Sequence, residues 1–486
     1  MVYAKTQEMS NKITNNTICA ISTPYGSGGI AVIRVSGESA IPIVDTLFRG
    51  RKSLMEAAAY TVHYGEIRKP TPNPSLRAPQ KASFFGDPAK GRENNQQEIL
   101  DQVLVSVFRA PHSFTGEDVV EIACHGSLYI QQTLLQWLVE AGCQLAKAGE
   151  FTQRAFLNGK MDLTEAEAVA DLIAAQTKAE KDLALSQLRG GISNELAGLR
   201  EQLLTFTSLV ELELDFADHE ELEFADRTQL NELAQELDTK IGRLVASFKT
   251  GNAIKQGIPV AIIGAPNVGK STLLNALLGE ERAIVSDIQG TTRDTIEDTL
   301  VLGGMLFRFI DTAGLRQTND TIENMGIERS RQAAQRAAVI IHLQDATAPV
   351  DTLSELDDIS EKKIIQVYNK VDLLGNRQEA RSEEKRISLS AKSGNVEVLK
   401  EQLITYAIEQ CDMRNAVTIS NTRHYEALVR AQEAIKRVQD GLHMQISGEF
   451  LSMDLQDCLT ALGEITGQIS SQEVLNNIFS KFCIGK

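Results

Sequence analysis

The chain lacks the features of a membrane or an exported, disulfide-rich protein. No hydrophobic run is long enough to cross a bilayer, and residues 1–17 lack the apolar core of a signal peptide. The six cysteines lie far apart without a C-x-x-C pair, at positions 19, 124, 143, 411, 458 and 483. Cys124 and His125 are adjacent, and because adjacent residues rarely chelate one metal we interpret them as structural. We therefore expect a cytoplasmic protein without a disulfide scaffold or a zinc site.

Positive charge is also in the minority. The 49 lysine and arginine residues face 65 aspartate and glutamate residues, so the net charge is −16. So acidic a composition argues against a broad basic face for nucleic acid, because the phosphate backbone is bound mainly by lysine and arginine. We expect any RNA contact to be local or to depend on a partner.

A glycine-rich loop follows the apolar residues 258–263. Residues 264–271 read G-x-x-x-x-G-K-[ST], with Gly264, Gly269, Lys270 and Ser271 at the specified positions. The glycines let backbone N–H groups turn towards a polyphosphate, the lysine supplies a cation, and the serine hydroxyl can ligate Mg²⁺. The motif predicts a phosphate-binding loop between a strand and a helix.

Three further motifs follow in the order typical of a GTP-binding domain. Residues 311–314 (Asp-Thr-Ala-Gly) offer a carboxylate to the Mg²⁺ shell and a glycine N–H to the terminal phosphate. Residues 369–372 (Asn-Lys-Val-Asp) end a predicted strand, and the Asp372 carboxylate can accept from two N–H groups of guanine that adenine lacks. Residues 390–392 (Ser-Ala-Lys) are typical of a segment that packs over the base. Between the first two motifs, a switch segment carries a Thr-Thr pair at 291–292, one of which should reach Mg²⁺ when GTP is bound. The motifs and this segment together predict GTP binding by Asn267, Val268, Gly269, Lys270, Ser271, Thr272, Ser286, Asp287, Ile288, Gln289, Gly290, Thr291, Thr292, Asp311, Thr312, Ala313, Gly314, Asn369, Lys370, Asp372, Ser390, Ala391 and Lys392.

The residue after 311–314 is Leu315, where small regulatory GTPases usually carry a glutamine that orients the attacking water. Leucine cannot hydrogen-bond this water, so hydrolysis needs another group, and the candidates are Glu323, Arg293 and Arg316. Lys270, whose cation faces the phosphates, is a predicted catalytic residue. The side-chain oxygen of Asn267, inside the phosphate loop, either helps to ligate a monovalent cation beside the phosphates or makes an ordinary loop hydrogen bond.

Apolar periodicity predicts the division of the chain into domains. Strands are predicted over 18–21, 30–35, 60–67 and 98–108, and helices over 38–48 and 127–141. Residues 69–97 hold five of the eleven prolines and are predicted to be a flexible loop. A helical pattern starts at residue 163, where Thr164 and Glu167 match a capping box, and helices are also predicted over 228–250, 421–441, 449–467 and 471–482. We predict an α+β N-terminal domain (1–158), a helical domain (159–255 and 411–486) and an α/β G domain inserted between its two parts (256–410).

The motifs together resemble the MnmE/TrmE family, the tRNA uridine-5-carboxymethylaminomethyl modification GTPases. The resemblance rests on residues 27–37, 113–121, 149–160 and 483–486 together with the interrupted helical region, and it covers essentially the whole chain apart from the proline-rich loop. Ribosome-assembly GTPases share the nucleotide-binding motifs without these flanking segments. A GTP-gated ribosome-assembly factor is therefore the alternative function.

The resemblance implies a multidomain fold with a folate-binding, dimerising α+β domain, a helical bundle and an inserted Ras-like G domain. It also implies a potassium-dependent GTPase that works with the FAD-binding protein MnmG at C5 of wobble uridine 34 of certain tRNAs. The implied cofactors are GTP, Mg²⁺, K⁺ and a one-carbon tetrahydrofolate of the 5-formyl type. The implied partners are a second copy of the chain, MnmG in a heterotetramer, and tRNA.

The resemblance also assigns site residues by motif position. The implied folate contacts are Arg34, Glu121, Lys160 and Lys486. The implied potassium ligands are Asn267, Ser286, Ile288 and Thr291, and the magnesium ligands are Ser271 and Thr292. Glu323 falls at the position of the family's water-orienting carboxylate, so the resemblance implies that Glu323 is a catalytic residue. Cys483 is either a small buried side chain or a thiol with a chemical role near the folate site.

Overall fold

The computed structural model describes residues 16–69, 98–215, 227–279, 298–310, 331–349, 362–374, 387–410 and 417–485. Contacts between residues divide the chain into two compact units. The first unit comprises Met1–Ala170 and Thr466–Lys486, and the second unit comprises Asp171–Ile465. The predicted proline-rich loop lies outside the described residues except for residue 69.

The strands form one sheet in each unit. The strands of the first sheet are β1 (Ile18–Ile21), β2 (Gly28–Ser36), β3 (Phe48–Gly50), β4 (Thr61–Arg68), β5 (Ile99–Phe108), β6 (Val119–Gly126) and β7 (Gln144–Leu145). The strands of the second sheet are β8 (Ile258–Ile263), β9 (Asp298–Leu302), β10 (Met305–Phe309), β11 (Val339–Asp345), β12 (Lys363–Asn369) and β13 (Ile387–Ser388).

The helices are labelled in chain order across both units. They are α1 (Ala40–Leu47), α2 (Leu128–Glu140), α3 (Glu150–Leu157), α4 (Leu163–Ala174), α5 (Lys178–Leu188), α6 (Gly191–Asp215), α7 (Arg227–Gln256), α8 (Lys270–Leu278), α9 (Glu397–Gln410), α10 (Thr422–His443), α11 (Gly448–Thr466) and α12 (Gln472–Phe479). Within the described ranges, no helix combines the length and the apolar content needed to cross a bilayer.

The sheet of the first unit has the order β3-β4-β5-β6-β2-β1-β7. Its neighbours pair antiparallel, except that β1 and β7 are parallel. Apolar side chains at alternate strand positions pack with α1 and α2 into one core, which includes Ile33, Ile122 and Trp137. Because successive residues of a strand point to opposite faces, Arg34 and Glu121 lie on the face away from that core. The observed elements confirm the predicted α+β character of this region.

The start of α4 corrects one sequence expectation. The capping box is formed by Asp162 and Glu165 and not by Thr164 and Glu167. Asp162 Oδ1 accepts from the Glu165 N–H at 2.9 Å, and Glu165 Oε2 accepts from the Asp162 N–H at 2.9 Å. Leu163 is already helical, so the residue before it caps the helix, and aspartate is as effective an N-cap as threonine.

The last described helix, α12, lies within its expected range of 471–482. The sequence pattern predicts that residues 411–486 belong to the helical domain, and the contacts group Thr466–Lys486 with the first unit. Leu475, Phe479 and Phe482 pack there against Leu163, with Phe156 of α3 beside them. These apolar side chains are buried against α3 and α4, which fixes the C-terminal segment to the N-terminal sheet unit. The three-domain division stays a prediction.

Among its described residues, the second unit contains two large hydrophobic cores and a smaller one around Ile263 and Ile340. Its sheet has the order β13-β12-β11-β8-β10-β9, with parallel neighbours except for the antiparallel pair β9 and β10. One core lies between this sheet and helices α8 and α9, and α5 contributes Ala179 and Leu183 to it. The other core joins α6, α7, α10 and α11. Helices that precede the sheet in sequence and helices that follow it therefore share one core.

Candidate functional site

The glycine-rich loop leaves the carboxyl end of β8, and both of its motif glycines are required by close packing. A Cβ atom at Gly264 would overlap the carbonyl oxygen of Leu343 on β11. Gly269 has φ +101°, and a Cβ atom there would overlap the amide nitrogen of Asn369. Helix α8 begins directly after Gly269, so its first N–H groups lie at the loop. The loop therefore has the backbone geometry of an anion site at a helix N-terminus.

Lys270 holds its ammonium group inside this loop. Lys270 Nζ donates to the carbonyl oxygens of Gly264 at 2.8 Å and Ala265 at 2.9 Å. Burial lowers the pKa of Lys270 from its usual value. The structure thus places the predicted cation at the loop that the motif assigns to phosphate.

Asn369 joins three parts of this site. Its side chain is only 3% exposed. Its Nδ2 donates to the carbonyl oxygen of Val268 at 2.8 Å, and its Oδ1 accepts from the Ala391 N–H at 2.9 Å. One buried amide therefore ties the phosphate loop to both predicted base-binding segments. The sequence placed Asn369 among the nucleotide contacts, and the structure adds this bracing role.

Asp345 lies beside these segments and was not among the residues predicted from the sequence. It ends β11, directly opposite Asn369 at the end of β12. Its Oδ2 accepts from Lys370 Nζ at 2.7 Å, and its Oδ1 accepts from the backbone N–H and the hydroxyl of Thr347. Hydrogen bonds from Lys370 first, and then from Thr347, lower the pKa of Asp345 to about 2. The only signal in the sequence is an acidic residue at the end of an apolar strand.

The described base-binding residues divide into a buried and an exposed set. Ser390 and Ala391 are buried, whereas Asp372 and Lys392 are exposed. Asp372 lies in a short 3₁₀ turn, Val371–Leu373, just beyond the carboxyl end of β12. Since β8, β11 and β12 are parallel, their carboxyl ends meet at one edge of the sheet, where ligands of such sheets bind. The loop and both base-binding segments lie along this edge.

The remaining nucleotide contacts were predicted in segments outside the described residues. These are Ser286, Asp287, Ile288, Gln289, Gly290, Thr291, Thr292, Asp311, Thr312, Ala313, Gly314 and Glu323. The alternatives Arg293 and Arg316, and the predicted folate contact Lys486, also lie outside them. Among the predicted potassium ligands, Asn267 is described. It is exposed and has φ +61°.

A second candidate site lies in the first unit, around the facing pair Arg34 and Glu121. Arg34 donates through Nε at 2.9 Å and Nη2 at 2.7 Å to Glu121 Oε1, and through Nη1 at 3.4 Å to the carbonyl oxygen of Gly485. The guanidinium carbon lies 5.5 Å from the ring centroid of Phe114 and 5.7 Å from that of Phe151. Two predicted folate contacts thus form one ion pair at the C-terminal segment.

Lys160 and Cys483, the other described residues predicted at the folate site, have different bonding partners. Lys160 is exposed and donates to the carbonyl oxygen of Pro111 at 3.1 Å. Cys483 is also exposed, so the alternative of a small buried side chain is wrong. Its carbonyl oxygen accepts from the Gly149 N–H, which holds the segment before Gly485 in place. A chemical role of the thiol stays a prediction.

A buried arginine beside this second site was also missed by the sequence reasoning. Arg154 on α3 is fully buried. It donates to both carboxylate oxygens of Glu117 and to Glu150 Oε1 at 3.0 Å. Glu117 also accepts from the Ser36 hydroxyl on β2, two residues after Arg34. The i,i+4 spacing of Glu150 and Arg154 in the sequence indicated that the two side chains could form an ion pair. It did not indicate that Arg154 is buried, because such pairs are usually at the surface.

The adjacent Cys124 and His125 agree with a structural interpretation. Cys124 is buried, and burial raises the pKa of its thiol to about 11. His125 points elsewhere and pairs through Nδ1 with Asp101 Oδ1 at 2.7 Å. Within the described part of the chain, no group of three or more histidine, cysteine, aspartate or glutamate residues could hold a metal ion.

The parallel sheet with a glycine-rich loop at its carboxyl edge defines a nucleotide-binding protein of the P-loop class. A family model of the GTP-binding protein TrmE N-terminus matches residues 17–160, and a model of the MnmE helical domain matches residues 163–483. The tRNA modification GTPase MnmE of Phocaeicola vulgatus is 52% identical over 98% of this chain and 99% of its own length. The proteins of the same name from Parabacteroides distasonis and Flavobacterium johnsoniae are 50% and 46% identical, over 97% and 98% of this chain and all of their own length. The chain belongs to the MnmE/TrmE family.

Proposed function

We propose that this chain hydrolyses GTP to drive the modification of wobble uridine 34 in certain tRNAs. The observation that carries the proposal is the site at the carboxyl edge of the second sheet, where Asn369 ties the phosphate loop to the base-binding segments. Full-length relatives named tRNA modification GTPases support the tRNA part. The same relatives argue against the alternative, a ribosome-assembly factor.

In the proposed nucleotide site each residue has a separate task. The N–H groups of the loop and of the start of α8 bind the phosphates, and Lys270 neutralises their charge. The Asp372 carboxylate accepts from guanine. Ser271 and Thr292 would hold Mg²⁺, which would supply positive charge to stabilise the phosphates. Asn267, Ser286, Ile288 and Thr291 would hold K⁺, and Glu323 would orient the attacking water in place of the glutamine that Leu315 replaces.

In the proposed folate site, Arg34 and Lys160 supply positive charge for carboxylates of the ligand, Glu121 orients Arg34, and Lys486 completes the set. A guanidinium has five N–H donors, and the three recorded bonds to Glu121 and Gly485 leave donors for a ligand carboxylate. The flanking rings of Phe114 and Phe151 add flat apolar surface. The donor set therefore fits a small anion with an aromatic part. The site would serve the one-carbon step carried out with the FAD-binding partner MnmG.

The first unit also offers a surface for the proposed homodimer. Val62 and Tyr64 on β4 and Leu104 on β5 are 62%, 63% and 48% exposed on the face of the sheet away from its core. Tyr64 and Leu104 are register partners, so the patch is continuous across two strands. An exposed apolar patch of this kind is typical of an interaction surface. It supports self-association of this unit.

The proposed function predicts a specific change in tRNA. Cells without this protein should lose the carboxymethylaminomethyl group from uridine 34, while ribosomal subunits assemble normally. Nucleoside mass analysis of purified tRNA, together with ribosome sedimentation profiles, would measure both. Expression of the wild-type chain should restore the modification, and expression of Lys270→Ala should not. Unchanged wobble nucleosides with defective subunits would support the ribosome-assembly function instead.

Removal of Arg34 is predicted to weaken folate binding. Arg34→Ala should reduce the affinity for 5-formyl-tetrahydrofolate by about 1.5–3 kcal/mol, the value of a charge-assisted hydrogen bond. Lys160→Ala should act in the same direction. Calorimetry on the full chain would measure binding, with thermal unfolding as a check because Glu121 loses its partner.

The matched control is Arg68→Ala, which removes a surface ion pair with Glu66 in the same sheet. It should leave folate binding unchanged. The double variant Arg34→Gln with Glu121→Gln removes both charges at once and should bind folate weakly without an unpaired carboxylate. Wild-type affinity in all Arg34 and Lys160 variants would remove these residues from the site.

A further inference from the structure

The ion pair between Asp345 and Lys370 lies between the two nucleotide-binding strands. Asp345 ends β11 and Asn369 ends β12, and the two residues are partners in the parallel register. The Ala346 N–H donates to the carbonyl oxygen of Asn369, which continues this pairing past the strand ends. Lys370 follows Asn369 directly. The pair therefore connects β11, which carries no predicted nucleotide contact, to the segment that reads the base.

The backbone at Lys370 is in an unfavourable conformation. Its φ is +65°, in the left-handed region that residues with a Cβ atom rarely adopt. Such a conformation persists where surrounding contacts impose it, and it is concentrated at binding sites. The contact that holds the Lys370 side chain is the 2.7 Å bond from Nζ to Asp345 Oδ2. Lys370 is thus fixed at both its backbone and its ammonium end.

The carboxylate of Asp345 is itself held in place. Its other oxygen, Oδ1, accepts from the Thr347 N–H at 2.9 Å and from the Thr347 hydroxyl at 2.6 Å. The Ala348 N–H donates to the carbonyl oxygen of Asp345, which closes a tight turn around it. Both partners keep partial exposure, 32% for the Lys370 side chain and 19% for that of Asp345. The pair is therefore an oriented surface element rather than part of the core.

We infer that Asp345 is a positioning residue for guanine-nucleotide binding, which it assists by holding Lys370 in the bound conformation before the nucleotide arrives. The inference rests on the proposed GTPase function. A lysine loses more rotamer entropy on ordering than almost any other side chain, and a contact that orders it in advance removes that loss from the binding step. Asp345 lies at the base-binding end of the site, so GTP and GDP should benefit equally.

The test is a double-mutant cycle on the full chain, with fluorescent N-methylanthraniloyl-GDP and the corresponding GTP as probes. Asp345→Ala should raise the Kd of both nucleotides about tenfold, the order expected from one lysine side chain. KM for GTP should rise with them, while kcat at saturating GTP stays within about twofold. Asp345→Asn keeps an acceptor without the charge and should restore part of the affinity. Lys370→Ala should weaken binding, and adding Asp345→Ala to it should have no further effect.

Three outcomes would overturn the inference or separate it from its premise. Equal Kd in wild type and Asp345→Ala would overturn it. It would also be overturned if the effects of Asp345→Ala and Lys370→Ala on Kd were additive and Asp345→Ala lowered the midpoint of thermal unfolding. Asp345 would then only stabilise the strand ends. The control Glu397→Ala removes an exposed ion pair with Lys400 on α9 and should change nothing. Failure of the wild-type chain to bind either probe would contradict the GTPase function itself.

Discussion

Replacement of Asp372 by asparagine is expected to lower the affinity for GTP by about 3 kcal/mol, more than a hundredfold. The wild-type carboxylate accepts from two N–H groups of guanine, and asparagine presents an N–H group to one of them. A wrongly paired polar group costs far more than a lost contact, which is why such sites discriminate strongly. Xanthine carries a carbonyl where guanine carries its amino group, so xanthosine triphosphate should bind the variant better than GTP.

Competition between GTP and xanthosine triphosphate for binding to the full chain would measure this change in nucleotide preference. Asp372 is exposed in its short 3₁₀ turn, so the variant should fold normally and circular dichroism should be unchanged. Asp440→Asn, at an exposed position of α10, is the matched control and should keep the preference for GTP. Undiminished GTP affinity in Asp372→Asn would remove the residue from the base site.

The second large effect is expected at the catalytic step. With Leu315 in place of a glutamine, hydrolysis should be slow in sodium and faster in potassium, by on the order of tenfold, because a cation beside the phosphates neutralises charge that develops in the transition state. Glu323→Ala should lower kcat in potassium by about a hundredfold, since the water loses the group that orients it. The Glu323→Ala variant should still show potassium-dependent association of two G domains.

Variants of Asn267 should differ from Glu323→Ala, because they should lose the potassium response and the association of G domains. Removal of the Asn267 side-chain oxygen should abolish the potassium response and the association while leaving Mg²⁺-GTP binding largely intact. Because Asn267 has φ +61°, alanine would add backbone strain there. Asn267→Gly removes the same oxygen without that strain and is therefore the better variant, with Asn267→Ala as its comparison.

Stopped-flow hydrolysis in each salt, with light scattering in the presence of a transition-state analogue, would distinguish the two roles. Equal wild-type rates in sodium and potassium would exclude the cation mechanism. In that case Arg293→Ala and Arg316→Ala test the remaining candidates, and the one that lowers kcat supplies the missing charge.

Much of the local structure was predictable because it depends on local patterns. Runs rich in β-forming residues predicted β1 without error and the core of β2, and helical patterning predicted α10 and α11 within two residues. The glycine-rich loop was equally clear, since its motif states which positions must lack a Cβ atom, and Gly264 and Gly269 do have neighbours that exclude one. The nucleotide class followed from motif order alone.

The partners of side chains were not predictable in the same way, because contact between residues far apart in sequence depends on packing. Nothing in the pattern around Asn369 indicated that its amide bonds Val268 and Ala391 at once. Likewise, only strand register brings Asp345 opposite Asn369 and within reach of Lys370.

The C-terminal segment illustrates the same limit. Its helical periodicity was clear in the sequence, but amphipathic helices have apolar faces that fit many partners. Burial of Leu475 and Phe479 against Leu163 assigned the segment to the first unit and brought the Gly485 carbonyl to Arg34. Sequence alone determined the elements and the nucleotide chemistry of this protein, whereas long-range packing decided which side chains complete each site.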